Sequence, residues 1–220
     1  MIRTVIFDMD GVIIDTEPIH HHAFFTQFAE LGITVSDALY ASFLGSSTRN
    51  VFQQLRQEFN LPQEVDELLR RKRELFNLKF DTDASLDLLL GVRALIEDIQ
   101  RRGIQMVLAS SASKATIARV FDRFGLAPYF THRVSGEDFA QSKPNPEIFL
   151  HAASLAETPV TECIVIEDSA NGVAAAKAAG IYCIGYASPH SAGQDLRLAD
   201  RVIQDFAELS AAQIAAIYVP

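Results

Sequence analysis

The chain has 220 residues, 49% of them hydrophobic and 21% charged, which suits one large or two modest globular domains and excludes a disordered or fibrous chain. A formal net charge of -9 argues against nucleic acid or an anionic membrane as a partner, and no apolar run reaches the length of a membrane span. Cys163 and Cys183 each sit in an apolar run without CxxC spacing, and MIRTVIFDMDG enters the fold with no secretory leader, so buried thiols in a reducing, cytoplasmic setting are expected.

TVIF, residues 4–7, predicts a short buried strand. It runs directly into DMDGVIIDTEP, which packs Asp8, Asp10, Asp15 and Glu17 into a few residues. Residues 17–88 then carry no convincing strand. Phe24, Phe28 and Leu31 mark one helical face, Val51, Phe52, Leu55 and Phe59 a second, and ELLRRKRELF a third helix with its Lys and Arg on the wet side. Gly91 marks the return. Val92, Leu95, Ile96 and Ile99 predict a helix over 92–102, QMVLA a strand over 105–109, and a helix follows over 113–124. PNPEIFLHAASL starts with prolines, where a helix tolerates them, and predicts a helix over 145–156. CIVI (163–166) and YCIG (182–185) are two more strands, separated by a helix over 169–180 with Ser169 as N-cap and Gly180 as C-cap. Residues 200–217 add a strand at RVI and a closing helix.

Short apolar strands alternating with helices predict an α/β fold, a parallel sheet covered on both faces. The expected organisation is a discontinuous core, 1–16 and 89–220, with an all-helical domain, 17–88, inserted after the first strand. In open parallel sheets ligands bind beyond the carboxyl ends of the strands. There the pattern gathers Asp8 and Asp10, Ser110 and Ser111, and Glu167 and Asp168, with Lys143 just ahead of a helix. Apposed carboxylates are costly unless neutralised, and an oxygen-ligated divalent cation, Mg²⁺ above all, removes that cost. Lysine, serine hydroxyls and helix N-termini beside it suit phosphate oxygens.

Each residue also has a plainer reading. An aspartate after a strand often makes a turn, Ser110 stands where a helix cap would, and Lys143 before a proline would serve on a surface. The two aspartates, the Glu-Asp pair and the lysine taken together favour the chemical reading. Gly11 is read as steric room after the turn, Gly172 and Gly180 as packing or cap glycines, and Asp15 and Thr16 as structural. No GxGxxG or P-loop is present.

DMDGVIIDT, LASSAS, KPNPEIF and IEDSANG, in that order and spacing, resemble the four motifs of the haloacid dehalogenase-like hydrolase superfamily, in its phosphotransferase branch. The insertion resembles a C1-type helical cap. The resemblance implies a Rossmann-like core, with Asp8 as the nucleophile that forms an aspartyl-phosphate and Asp10 as general acid and then base. It implies Mg²⁺ held by Asp8, Asp168 and the Asp10 carbonyl, with Glu167 on the metal directly or through water. Ser110 would hold the transferring phosphoryl group, and Lys143 would balance its charge.

The chain is most similar to the β-phosphoglucomutase-like group, which implies substrate contacts from His20, from Arg49 in GSSTRN and, more loosely, from Lys72, flanked by Arg71 and Arg73. Local packing is the plainer reading of His20, and a solvated helix start that of Arg49. In this group cap closure decides whether water or a sugar hydroxyl accepts the phosphoryl group. EPIHHHAFF after the first motif favours the hydrolases. The expected activity is therefore Mg²⁺-dependent hydrolysis of a small phosphomonoester such as a sugar phosphate, by a monomer. A β-phosphoglucomutase, an inorganic pyrophosphatase and a non-catalytic protein-binding scaffold stand as alternatives.

Overall fold

In the computed structural model, residues 1–43, 46–187 and 193–218 are described; Gly45 of the GSSTRN motif lies outside them. The chain divides into two compact units, one of Met1–Asp15 with Asp87–Pro220 and one of Thr16–Leu86.

The first unit is built on a sheet of six strands: β1 (Thr4–Phe7), β2 (Gln105–Ser110), β3 (His132–Ser135), β4 (Cys163–Glu167), β5 (Tyr182–Tyr186) and β6 (Arg201–Ile203). Their order is β3-β2-β1-β4-β5-β6, and every pairing is parallel. The central strands β1 and β4 are buried at every residue, which is why apolar residues fill them apart from Thr4 at the start of β1 and Glu167 at the end of β4. The edge strand β3 was not legible in the sequence. It pairs with β2 alone, and its exposed Arg133 interrupts the apolar pattern.

Side chains alternate along each strand, so Ile6, Val107, Ala109, Cys163 and Val165 share one face. That face packs against Phe149 and Ala152 of α7 (Glu147–Leu155) and Val173 and Ala176 of α8 (Ala170–Ala178). The remaining helices of this unit are α5 (Val92–Arg101), which contacts β2, α6 (Lys114–Phe124), which contacts β3, and the short α9 (Ala211–Ala215). Ser113 and Ser169 cap α6 and α8, accepting from Thr116 N and Gly172 N. Gly180 follows one residue after the C-cap of α8.

The second unit holds α1 (Glu17–Leu31), α2 (Asp37–Ala41), α3 (Thr48–Glu58) and α4 (Val65–Thr82), and no strand among its described residues. Three of these helices are the expected ones; α2 is too short to show a helical period in sequence. It nevertheless has a cap, Ser36 accepting from Leu39 N at 3.2 Å, and it delivers Tyr40 to the core. That core is aromatic: Phe24 lies 5.6 Å from Phe52 and 5.9 Å from Tyr40, ring centroid to centroid. Gln27 donates to the Leu68 carbonyl at 3.0 Å and ties α1 to α4.

Candidate active site

Strand register assembles the site. Phe7 pairs with Ile166 on one side and Leu108 on the other, so the next residue, Asp8, lies level with Glu167 and with Ala109. Asp8 continues the face of Ile6, and Glu167 the face of Val165. Two carboxylates on neighbouring strands of one buried face would repel. Lys143, from the turn ahead of α7, sits between them. Its ammonium donates to Asp8 Oδ1 at 2.6 Å, to Glu167 Oε1 at 2.8 Å and to the Ala109 carbonyl at 3.1 Å. A lysine has three N–H groups, and all three are used. The Phe149 ring, 4.8 Å away, covers the same ammonium.

This cluster still carries one more carboxylate than cation. Burial pushes the Asp8 carboxyl up; Lys143 pulls it down; Glu167 and Asp10 push it up again, and the balance stands at about 7. Burial disfavours the Lys143 charge, but Asp8 and Glu167 outweigh it and hold the ammonium above the ordinary lysine value. A buried anion with so little compensation is a place for a further positive charge.

The other expected residues lie on the surrounding turns. Gly11 has φ +80, and a Cβ there would overlap the Asp168 carboxylate, so the turn after β1 and the end of β4 meet with no room for a side chain. Ser110, the last residue of β2, is fully buried, and its Oγ accepts from Ala112 N at 3.0 Å. The hydroxyl keeps its own proton to donate. Ser111 packs its backbone on Gly136, and Ser135 Oγ donates to the Ala112 carbonyl at 2.7 Å. The end of β3 therefore shapes the serine turn. Ser135 and Gly136 escaped the sequence reading because their strand did.

Glu167 is bonded within the protein through both oxygens. Its Oε1 accepts from Lys143, and its Oε2 accepts from Ser169 N at 2.7 Å and Ser169 Oγ at 3.0 Å. Among the described residues no group of three or more His, Cys, Asp and Glu side chains is placed to hold a metal. Asp8, Asp168 and the main-chain oxygen of Asp10 would offer a metal oxygen donors only. Mg²⁺ fits such a set, because it typically binds through one or two carboxylates and keeps several waters or substrate phosphate oxygens.

In the helical unit His20 and Lys72 are brought together, Lys72 Nζ lying 2.5 Å from His20 Nδ1. Lys72 is buried against the rings of Phe24, at 4.8 Å, and Phe76, at 5.1 Å. The expectation that the basic residues of this helix face water fails at Lys72, whose position on the helix turns it inward among the aromatic rings. Arg49, in the first turn of α3, instead pairs with the exposed Asp66 at 2.6 Å.

The family described as haloacid dehalogenase-like hydrolase matches residues 5–186. A phosphorylated carbohydrates phosphatase of Thermotoga maritima is 31% identical over 193 residues, covering 86% of each chain. A β-phosphoglucomutase of Bacillus subtilis is 28% identical over 213 residues, covering 94% of this chain and 92% of its own. Among solved structures, CbbY from Rhodobacter sphaeroides in complex with phosphate superposes with a TM-score of 0.86 at 27% identity, over 95% of this chain and 96% of the other.

The charge surplus predicts a pH effect in metal-free protein. An acid whose pKa rises on folding holds its proton more tightly in the folded chain. Its stabilising contribution is therefore complete below the unfolded value of 3.8 and is lost as pH climbs through about 7. Asp8→Asn is neutral at every pH and serves as reference. In chelator, the wild type should lose stability relative to this variant between pH values of about 4 and about 7, and Mg²⁺ should restore it at the upper end. Urea unfolding across that range measures the difference; two parallel profiles would refute the surplus.

Proposed function

From the premise that this chain belongs to the haloacid dehalogenase-like hydrolase family, we propose that it hydrolyses a small phosphomonoester, a sugar phosphate by preference, through an aspartyl-phosphate on Asp8. The observation that carries this reading is the buried Lys143 ammonium on Asp8 Oδ1, beside a surplus of carboxylate. It holds the nucleophile in one orientation and offers a fixed positive charge where charge moves in the transition state.

The chemistry follows in two displacements. An Asp8 oxygen bonds to phosphorus as the bond from phosphorus to the ester oxygen breaks, and Asp10 gives its proton to the departing alkoxide. Asp10, now a base, takes a proton from water; that water attacks the same phosphorus, the Asp8 oxygen leaves, and orthophosphate is released with Asp10 reprotonated. Ser110 donates its hydroxyl proton to a phosphoryl oxygen, and Lys143 keeps the Asp8 carboxylate aligned throughout. When bound, Mg²⁺ would be held by Asp8, Asp168 and the Asp10 main-chain oxygen and would neutralise phosphoryl charge.

A second reading, a mutase that returns the phosphoryl group to a sugar hydroxyl, is favoured by the His20–Lys72 pair and by Arg49. The likeness to a β-phosphoglucomutase supports it. The two part on product. A panel of phosphorylated metabolites, scored for orthophosphate and for isomerised ester, should give orthophosphate, with a sugar phosphate as the best substrate. EDTA should silence turnover and Mg²⁺ restore it, and Asp8→Asn should lower it by several orders of magnitude with the fold intact. Near-wild-type turnover in that variant would exclude the nucleophile, and isomerisation without phosphate release would transfer the conclusion to the mutase.

Arg49 gives a finer test. Its ion pair is exposed and worth about 1 kcal/mol or less. Arg49→Ala should therefore leave hydrolysis of simple esters near wild type. A steep loss confined to isomerisation of β-glucose 1-phosphate with a bisphosphate primer would instead establish the mutase role.

A further inference from the structure

Glu167 is the last residue of β4 and, following Cys163 and Val165, points into the face covered by α7 and α8. Its carboxylate is 99% buried and lies beneath the first turn of α8. Both oxygens are committed, Oε1 to Lys143 and Oε2 to the amide and hydroxyl of Ser169. Ser169 Oγ also accepts from Gly172 N at 3.0 Å, so this hydroxyl caps the helix and grips the carboxylate at once. A Cβ at Gly172 would overlap Oε1, Cδ and Oε2 of Glu167 and meets no closer atom. The glycine makes the space that the carboxylate occupies. Its φ lies outside the left-handed region, so its backbone has no need of glycine, and a helix interior otherwise prefers alanine.

We propose that Ser169 and Gly172 are positioning residues, acting through Glu167 on Lys143, and that Glu167 is a strut for the lysine rather than a ligand of the metal. The chain of contacts runs without a gap from Ser169 to Glu167 to Lys143 to Asp8. The helix dipole at the start of α8 favours the Glu167 charge at its far end from the reaction, and the fixed carboxylate in turn draws one of the three N–H groups of Lys143. The remaining two are then aimed at the Ala109 carbonyl and at the nucleophile. A ligand role would set a divalent cation beside the Lys143 ammonium that already holds Oε1, while Oε2 takes both the amide and the hydroxyl of Ser169. This inference deepens the proposed phosphoryl transfer and rests on it for its kinetic readouts.

Gly172→Ala and Ser169→Ala test it from two sides. The first displaces the carboxylate with its far end free to swing, and the second deletes one hydroxyl. Both should lower kcat on the best ester of the panel on the order of 10- to 100-fold, the scale of one charge-assisted hydrogen bond. KM and the Mg²⁺ dissociation constant measured by calorimetry should stay within about twofold of wild type. Ser169→Thr, which keeps both the cap and the donor, should recover most of kcat. A Mg²⁺ affinity that weakens in parallel with kcat would make Glu167 a metal ligand and overturn the proposal, as would an unchanged kcat. If Gly172→Ala does not fold, the Ser169 pair decides alone. If the wild type itself turns over no ester, the proposed activity fails separately. The crystal structure of Gly172→Ala then decides, expected to show Lys143 parted from Glu167; a lysine still on all three acceptors would refute the strut.

Discussion

Lys143 is a buried cation with three N–H groups and three acceptors, and the sheet unit is organised to meet that requirement. Two of the acceptors are carboxylates at the ends of neighbouring strands, and the third is the carbonyl of Ala109 on the strand opposite. Removing the lysine would leave two like charges on one dry face, a cost of roughly 3–5 kcal/mol for an orphaned buried charge. Keeping it leaves a surplus of one negative charge. Such an arrangement adds little to the stability of the metal-free fold, and its value lies in holding Asp8 in one place with its charge partly balanced.

The parallel sheet makes this arrangement cheap to encode. Residues from positions 8, 109, 143 and 167 come from four separate stretches of chain. Positions 8, 109 and 167 converge because register aligns strand ends and alternation turns the same parity of side chain toward the same face, and the turn ahead of α7 brings Lys143 onto that face. The apolar members of that parity build the core with α7 and α8. The polar members begin one step past the apolar run, where the core gives way to turns and helix N-termini.

The same logic explains what could be read from the sequence. β1, β2, β4 and β5 are largely apolar because they are buried on both faces, and the carboxylates at the ends of β1 and β4 marked a site. β3 was silent because an edge strand tolerates Arg133, and its loss hid Ser135 and Gly136 behind the serine turn. The helix α2 was silent because five residues hold too little of a period. Ser169 and Gly172 were read as a cap and a packing glycine, and each is that. The part that stayed hidden is where the Glu167 side chain goes, since a strand pattern fixes which face a residue points to and not which partners it takes there.

The insertion point bears on how one core can host different acceptors. The chain leaves the sheet unit after Asp15 and returns at Asp87, and the two ends are fastened to each other: Leu89 N donates to the Ile13 carbonyl at 3.0 Å, and Ile14 bridges Leu88. With exit and return clamped, the sheet closes its hydrogen bonds whatever the insertion contains, and a helical unit with its own aromatic core can change without disturbing Asp8 or Lys143. The buried cluster of Asp8, Lys143 and Glu167 lies wholly within the sheet unit. Whatever selectivity His20, Arg49 and Lys72 supply is carried on a separately packed body, anchored by the burial of Lys72 against Phe24 and Phe76. On the proposed mechanism, attack on phosphorus would fall to the sheet unit and choice of acceptor to the helical unit, two different stretches of the chain.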